Sequence, residues 1–235
     1  VLQSRGLGDV YKRQYEYYKK FSDGNFVYGT TLSKVNGRLV LRLSEADILP
    51  FRFVNMVDNI GQFIKDNKKL YQVVQQSTEQ RNRLLDNEDF TISRNPKKTY
   101  LPPERLPQVP GFDFKPLDDA FARLTSNAWK YEDALFNFKK GSLSAEKKSE
   151  INALLKGVDQ AFINIEGLPR RDWFKNMMYA PGYYTGYGVK TLPGIREGLE
   201  ESQWDEVRKY IKEVSKALDR ASVNINSASR ILDEN

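Results

Sequence analysis

Residues 204–232 read WDEVRKYIKEVSKALDRASVNINSASRIL, and the spacing of their apolar side chains decides the fold class. Val207, Ile211, Val214, Leu218, Ala221, Ile225, Ala228 and Leu232 step by four and three without a break. Residues three and four apart share one side of a 3.6-residue helix, so this is a single long helix with a continuous apolar face. Such a seam over three or more heptads can mean a coiled coil. Alanine at two of its positions, and no charge code beside it, point instead to close packing inside a bundle. Ser202-Gln203-Trp204-Asp205 at its start is close to a capping box.

The same reading extends upstream. Leu117, Phe121, Leu124, Ala128, Tyr131, Leu135 and Phe138 alternate in the same way and predict a helix closed by Gly141. Ile151, Leu154, Leu155, Val158 and Phe162 predict another, opened by Ser144. Phe53, Val57, Ile60, Ile64, Tyr71 and Val74 mark a long helix that fades near Arg83. Tyr28, Leu32, Val35, Leu39 and Leu43 mark one that starts at an Asp23 cap and ends before Pro50. Residues 94–116 hold Pro96, Pro102, Pro103, Pro107, Pro110 and Pro116, which no regular helix survives. That stretch reads as a long surface loop or arm; a proline-rich peptide ligand is the functional alternative. The fold class is all-α: a helical bundle of about five main helices, with a long Pro-rich loop and a Gly/Tyr-rich loop before the last helix.

Composition removes several chemistries. The chain has 235 residues, no cysteine and no histidine. Thiol nucleophiles, disulfides and cysteine metal sites are excluded, and with them the commonest general base and the commonest zinc ligand. No stretch approaches the roughly 18 apolar residues of a membrane helix. The net charge of +6 is spread among acidic residues, and the only dense basic patch is Arg94–Lys98. A nucleic-acid surface is a clustered basic face, so no nucleic-acid partner is expected. Residues 1–14, VLQSRGLGDVYKRQ, lack periodicity, and Gly6-Leu7-Gly8 is no phosphate loop because no Lys-Ser or Lys-Thr follows. They read as an adapter-derived, non-native segment, which leaves 15–235 as the domain.

The one segment with unusual local chemistry is residues 167–195, GLPRRDWFKNMMYAPGYYTGYGVKTLPGI. Five glycines and three prolines punctuate Trp173, Phe174, Tyr179, Tyr183, Tyr184 and Tyr187. Glycine-punctuated loops of this length tend to be functional. A loop anchored by buried tyrosines is the competing reading, and composition does not separate the two.

This segment and its surroundings resemble the C-terminal helical domain of the glutamate carboxypeptidase II and transferrin receptor family, the transferrin-receptor-like dimerisation domain. Asp23 to Phe51, ending in Leu49-Pro50-Phe51, is similar to the family's helix and turn after the catalytic core. Gly167-Leu168-Pro169 with Arg171 and Tyr179-Ala180-Pro181 resembles its substrate-side loop. Pro193-Gly194-Ile195 and the final Ala-rich helix from Trp204 match its ending. The resemblance covers residues 15–235, with Pro96–Lys115 fitting least well.

The resemblance implies a homodimer through this domain, beside a protease-like and an apical domain of the same parent chain. It implies a single-pass membrane parent with this domain on the extracytosolic side, in a vacuolar, lysosomal or cell-surface lumen. No Asn-x-Ser/Thr sequon adds independent support for that placement. The enzymatic members are zinc metallocarboxypeptidases that trim C-terminal residues, often glutamate, from peptide substrates. Their two zinc ions are held by residues upstream of this sequence, so no catalytic residue, metal ligand or cofactor is expected in this fragment. In register, the family's last zinc ligand, a histidine, falls near Asp9. One contact carries over: an Asn-Lys-Tyr run that meets the substrate's terminal carboxylate. Its places are held here by Thr185, Gly186 and Tyr187, so the lysine is missing; Lys190, three residues along, is the candidate substitute. The function expected is a dimerisation domain that lends a substrate-side loop to a carboxypeptidase. The alternatives are the same domain in an inactive transferrin-receptor-like receptor or sorting adaptor, and a stand-alone helical peptide-binding adaptor.

Overall fold

A computed structural model describes residues 14–93, 95, 97, 99, 101–138 and 143–234. The expected adapter segment except Gln14, the closing Gly141, and Arg94 and Lys98 of the basic patch lie outside the described residues. The chain divides into two compact units, residues 1–50 and 51–235.

The first unit contains α1 (Tyr15–Phe21) and α2 (Val27–Ser44). Periodicity missed α1, which is too short, at seven residues, to show a repeat. Asp23 does cap α2, from four residues before its first turn. Its carboxylate accepts from Val27 N and Gly29 N, both at 2.8 Å. The residue that enters the helix is Phe26, in a left-handed conformation. Burial alone would raise the Asp23 carboxyl's pKa; the N–H groups of Gly29, Tyr28 and Val27 and the Tyr18 hydroxyl reverse that and hold it below the usual value. The apolar face read in the sequence exists as a helix face, but Tyr28, Leu32, Val35 and Leu39 on it are all exposed.

The second unit contains α3 (Val54–Asp86), a single turn α4 (Asp89–Ile92), α5 (Lys115–Asn137), α6 (Ala145–Gln160), a hairpin of β1 (Tyr179–Pro181) and β2 (Val189–Thr191), α7 (Pro193–Glu200) and α8 (Trp204–Asp233). Four of these helices are long, and α2 of the first unit is a fifth, so the described residues carry the five main helices expected of an all-α chain. The central one is α8, against which α5, α6 and α7 all pack, while α3 packs on α5 and α7. All eight positions of the quoted seam are buried. Small residues bring the helices close. Asn127 Nδ2 of α5 donates to Ser222 Oγ of α8 at 2.9 Å, and Ser215 Oγ donates back to Ile211 O at 2.7 Å, so neither buried serine is left unpaired.

Two helix starts and one buried face differ from expectation. Pro116 is not the end of the loop but lies in the first turn of α5, where its missing N–H costs nothing. In α5 the expected Leu117, Leu124, Ala128 and Tyr131 are buried, but Ala120 and Ala134 join them while Phe121 and Leu135 are half-buried. The expected capping box does not form: Gln203 precedes α8 without a side-chain cap, and Ser202 is left-handed at φ 58°. By contrast Ser144 caps α6 as predicted, Oγ accepting from Lys147 N at 3.4 Å.

The Pro-rich arm is a docked connector. Arg81 Nη2 donates to Glu104 O at 2.8 Å, and Tyr71 OH to Pro110 O at 3.1 Å. The buried Asn82 side chain pairs with Leu106 in both directions, Nδ2 to O at 2.8 Å and N to Oδ1 at 3.0 Å. Phe112 then packs edge-on against Tyr71 of α3 and tilted against Trp204 of α8, fixing where the arm turns into α5.

Candidate functional site

The Gly/Tyr segment is built outward from its buried end. At Gly167 the backbone is left-handed, φ 79°, and an added Cβ would collide with the main chain of Asp172, so only glycine fits. The carbonyl of Gly167 accepts from the buried Tyr210 hydroxyl of α8 at 2.9 Å. Burial raises the pKa of that phenol and keeps it a donor. From there Leu168, Met177, Met178 and Ala180 sink into the core. The loop is thus anchored, but by methionines and alanine: Tyr179, Tyr183, Tyr184 and Tyr187 are all exposed.

From Tyr179 the chain forms a short antiparallel hairpin pairing Tyr179 with Thr191, Ala180 with Lys190 and Pro181 with Val189. Three-residue strands of this composition carry no alternating pattern, which is why sequence periodicity gave no strand. Residues 182–188 make the turn. Gly182 N donates to Gly188 O at 2.8 Å, Gly186 N to Gly182 O at 3.2 Å and Tyr187 N to Thr185 O at 2.7 Å. Gly186 is left-handed at φ 63°.

Two ion pairs hold the base of this turn. Arg171 and Glu197 of α7 form a forked pair, Nη1–Oε1 3.1 Å and Nη2–Oε2 2.6 Å, with side chains 2% and 5% exposed. Glu197 Oε1 also accepts from Tyr183 N at 2.8 Å. The guanidinium groups of Arg170 and Arg171 both lie over the Tyr183 ring, at 5.3 and 6.0 Å from its centroid. Arg170 is itself tied to Glu201 and Glu206. On the other strand, Lys190 Nζ meets both oxygens of Glu200 at 2.9 Å, and Arg196 Nε reaches the same carboxylate at 3.2 Å.

The four residues singled out in the sequence therefore share one hairpin with different roles. Tyr187 stands at its tip, fully exposed. The Thr185 hydroxyl donates to Gly188 O at 3.2 Å, within the turn. Gly186 supplies the left-handed step. Lys190 has its ammonium on Glu200. Sequence reasoning missed the pair beneath them. Arg171 was named only as part of the loop's resemblance, and Glu197, inside PGIREGLE, carried no signal that the two would meet. Among the described residues no group of three or more His, Cys, Asp or Glu side chains could hold a metal ion. With no histidine or cysteine in the chain, its donors do not fit zinc.

Residues 112–226 match the family model of the transferrin receptor-like dimerisation domain. A probable glutamate carboxypeptidase of Arabidopsis thaliana is 25% identical over 234 residues, which is 95% of this chain and 28% of that protein. An inactive zinc metalloprotease of Schizosaccharomyces pombe is 26% identical over 137 residues, 53% of this chain and 17% of that protein. The vacuolar protein sorting-associated protein 70 of Saccharomyces cerevisiae is 35% identical over 74 residues, 32% of this chain and 9% of that protein. The chain thus spans about a quarter or less of the length of these relatives. No helix among the described residues is long and apolar enough to cross a membrane.

Proposed function

We propose, from the premise that residues 112–226 belong to the transferrin receptor-like dimerisation domain family, that this chain is the helical dimerisation domain of a glutamate carboxypeptidase-like parent. In this reading the domain pairs with a second copy of itself and lends the parent's active site a substrate-side turn. The parent is a single-pass membrane protein with this domain in an extracytosolic lumen. The two zinc ions and the residues that hold them belong to its protease-like domain, with an apical domain beside it. Residues 15–235 constitute the helical domain, and 1–14 stand outside it.

The observation that carries the substrate-side role is the turn itself. A fully exposed Tyr187 is presented by a glycine-flanked, internally hydrogen-bonded loop. Its phenol can donate to a substrate carboxylate oxygen and needs no charge to do so. Thr185 and Gly186 shape the turn. Lys190, already on Glu200, adds positive potential nearby rather than a direct contact. Tyr187→Phe in the parent protein removes one hydrogen bond to a charged group, worth about 1.5–3 kcal/mol. Peptide-cleavage kinetics are expected to show a ten- to hundred-fold loss in kcat/KM at unchanged thermal stability. Wild-type kinetics with lowered stability would make Tyr187 a packing residue.

A second reading, in which the parent is an inactive sorting receptor or adaptor, is favoured by one feature. The place of the family's carboxylate-binding lysine is taken by Gly186, and the nearest lysine is neutralised by Glu200. Zinc content of the purified parent separates the two: about two ions per chain for the enzyme, none for the receptor.

A further inference from the structure

The Gly/Tyr turn is exposed from Tyr183 to Gly188, yet its base is bound to a charge pair removed from solvent. Taking two charges out of water is expensive, and packing alone is often served as well by apolar side chains. Three things converge on this pair. Glu197 accepts both guanidinium N–H groups of Arg171 and the main-chain N–H of Tyr183. Arg171 also lies over the rings of Phe174 and Tyr183, one before the hairpin and one at its turn. The segment carries backbone strain on either side: Arg170 is left-handed at φ 61° and the fully buried Leu192 at φ 48°. Strain of this kind persists where surrounding structure over-determines it, and it collects at functional sites.

We propose that Arg171 and Glu197 are positioning residues for the 182–188 turn. The pair sets where Tyr187 stands, through the Tyr183 N–H, rather than touching substrate. Mechanically, Glu197 belongs to α7, whose Gly194 and Gly198 let it lie close against Tyr210 and Val207 of α8. The carboxylate is therefore a fixed point of the core, and Tyr183 is the first residue of the turn tied to it. This rests on the reading of the turn as substrate-side.

The test is Glu197→Gln, which keeps the size of the side chain but sets an amide N–H against the guanidinium. In the full 235-residue chain, amide hydrogen exchange at residues 182–188 is expected to quicken at least tenfold, while Val214 to Ile225 of α8 stay protected. In the parent, KM for a peptide substrate is expected to rise about tenfold with kcat nearly kept. Unchanged exchange in the turn, or equal loss of protection in turn and α8, overturns the proposal. Faster exchange with an unchanged KM keeps the positioning role and sinks the substrate-side reading of Tyr187. If the variant does not fold, Arg171→Lys is read in the same way: a cation remains beside Glu197 while the fork is lost, so a smaller, turn-confined rise is expected, and a uniform one contradicts.

Discussion

A single hydroxyl in the core marks how far packing has overruled polarity in this molecule. Tyr131 is fully buried against Phe53, and its OH has no hydrogen-bond partner among the described residues. Burial pushes its pKa up to about 12; Arg52 pulls it down and Glu132 raises it again. The unfolded phenol ionises near 10, two units lower. Between those values the unfolded state loses its proton first and is favoured, so stability falls as pH rises from about 10 to 12. Tyr131→Phe removes both effects. Urea unfolding is expected to show a gain of about 1–3 kcal/mol at neutral pH, from deleting an unpaired buried group, and a flatter decline above pH 10. A loss of stability at neutral pH would mean that the hydroxyl is satisfied. At this scale the sequence was partly legible. The seam marked Tyr131 as a core position, but not that its hydroxyl went unpaired. Tyr187 could be singled out by its glycines, whereas Arg171 and Glu197 are 26 positions apart and meet only after the chain has folded.

Elements with strong period were legible, and those held by long-range side-chain to main-chain bonds were not. All eight seam residues of α8 are buried because three helices surround it. The equally regular face of α2 is exposed, since period reports amphipathicity and not what covers it. Helix α7 escaped notice because glycine and proline within eight residues read as loop, yet those glycines are what bring it onto α8. The arm is the clearest case: its prolines exclude helix, but its course is fixed by Arg81, Asn82 and Tyr71 of α3. Asn82→Ala removes both bonds to Leu106 and orphans its main-chain groups. The expected cost is about 1–3 kcal/mol. Limited trypsin digestion should then cut at Arg105 well before α8 is lost. Resistance equal to the parent's would show that the Phe112 contacts alone hold the arm.

For the molecule as a whole, residues 112–226, which match the dimerisation-domain model, run from the end of the arm through α5, α6, the hairpin and α7 to well inside α8. They include most of the central helix and the whole Gly/Tyr turn, so the candidate site and much of the core lie within the matched region. The organisation proposed for the parent extends from that region: a paired helical domain beside a peptidase whose metal it does not hold. Large isologous interfaces of this kind bury apolar helix faces and form at modest concentration. Sedimentation velocity over a concentration series tests the pairing most directly, on the full chain and on a form beginning at Tyr15. The account predicts a species of twice the chain mass that dissociates only on dilution, at the same concentrations for both forms. A monomer at every concentration in both would contradict it.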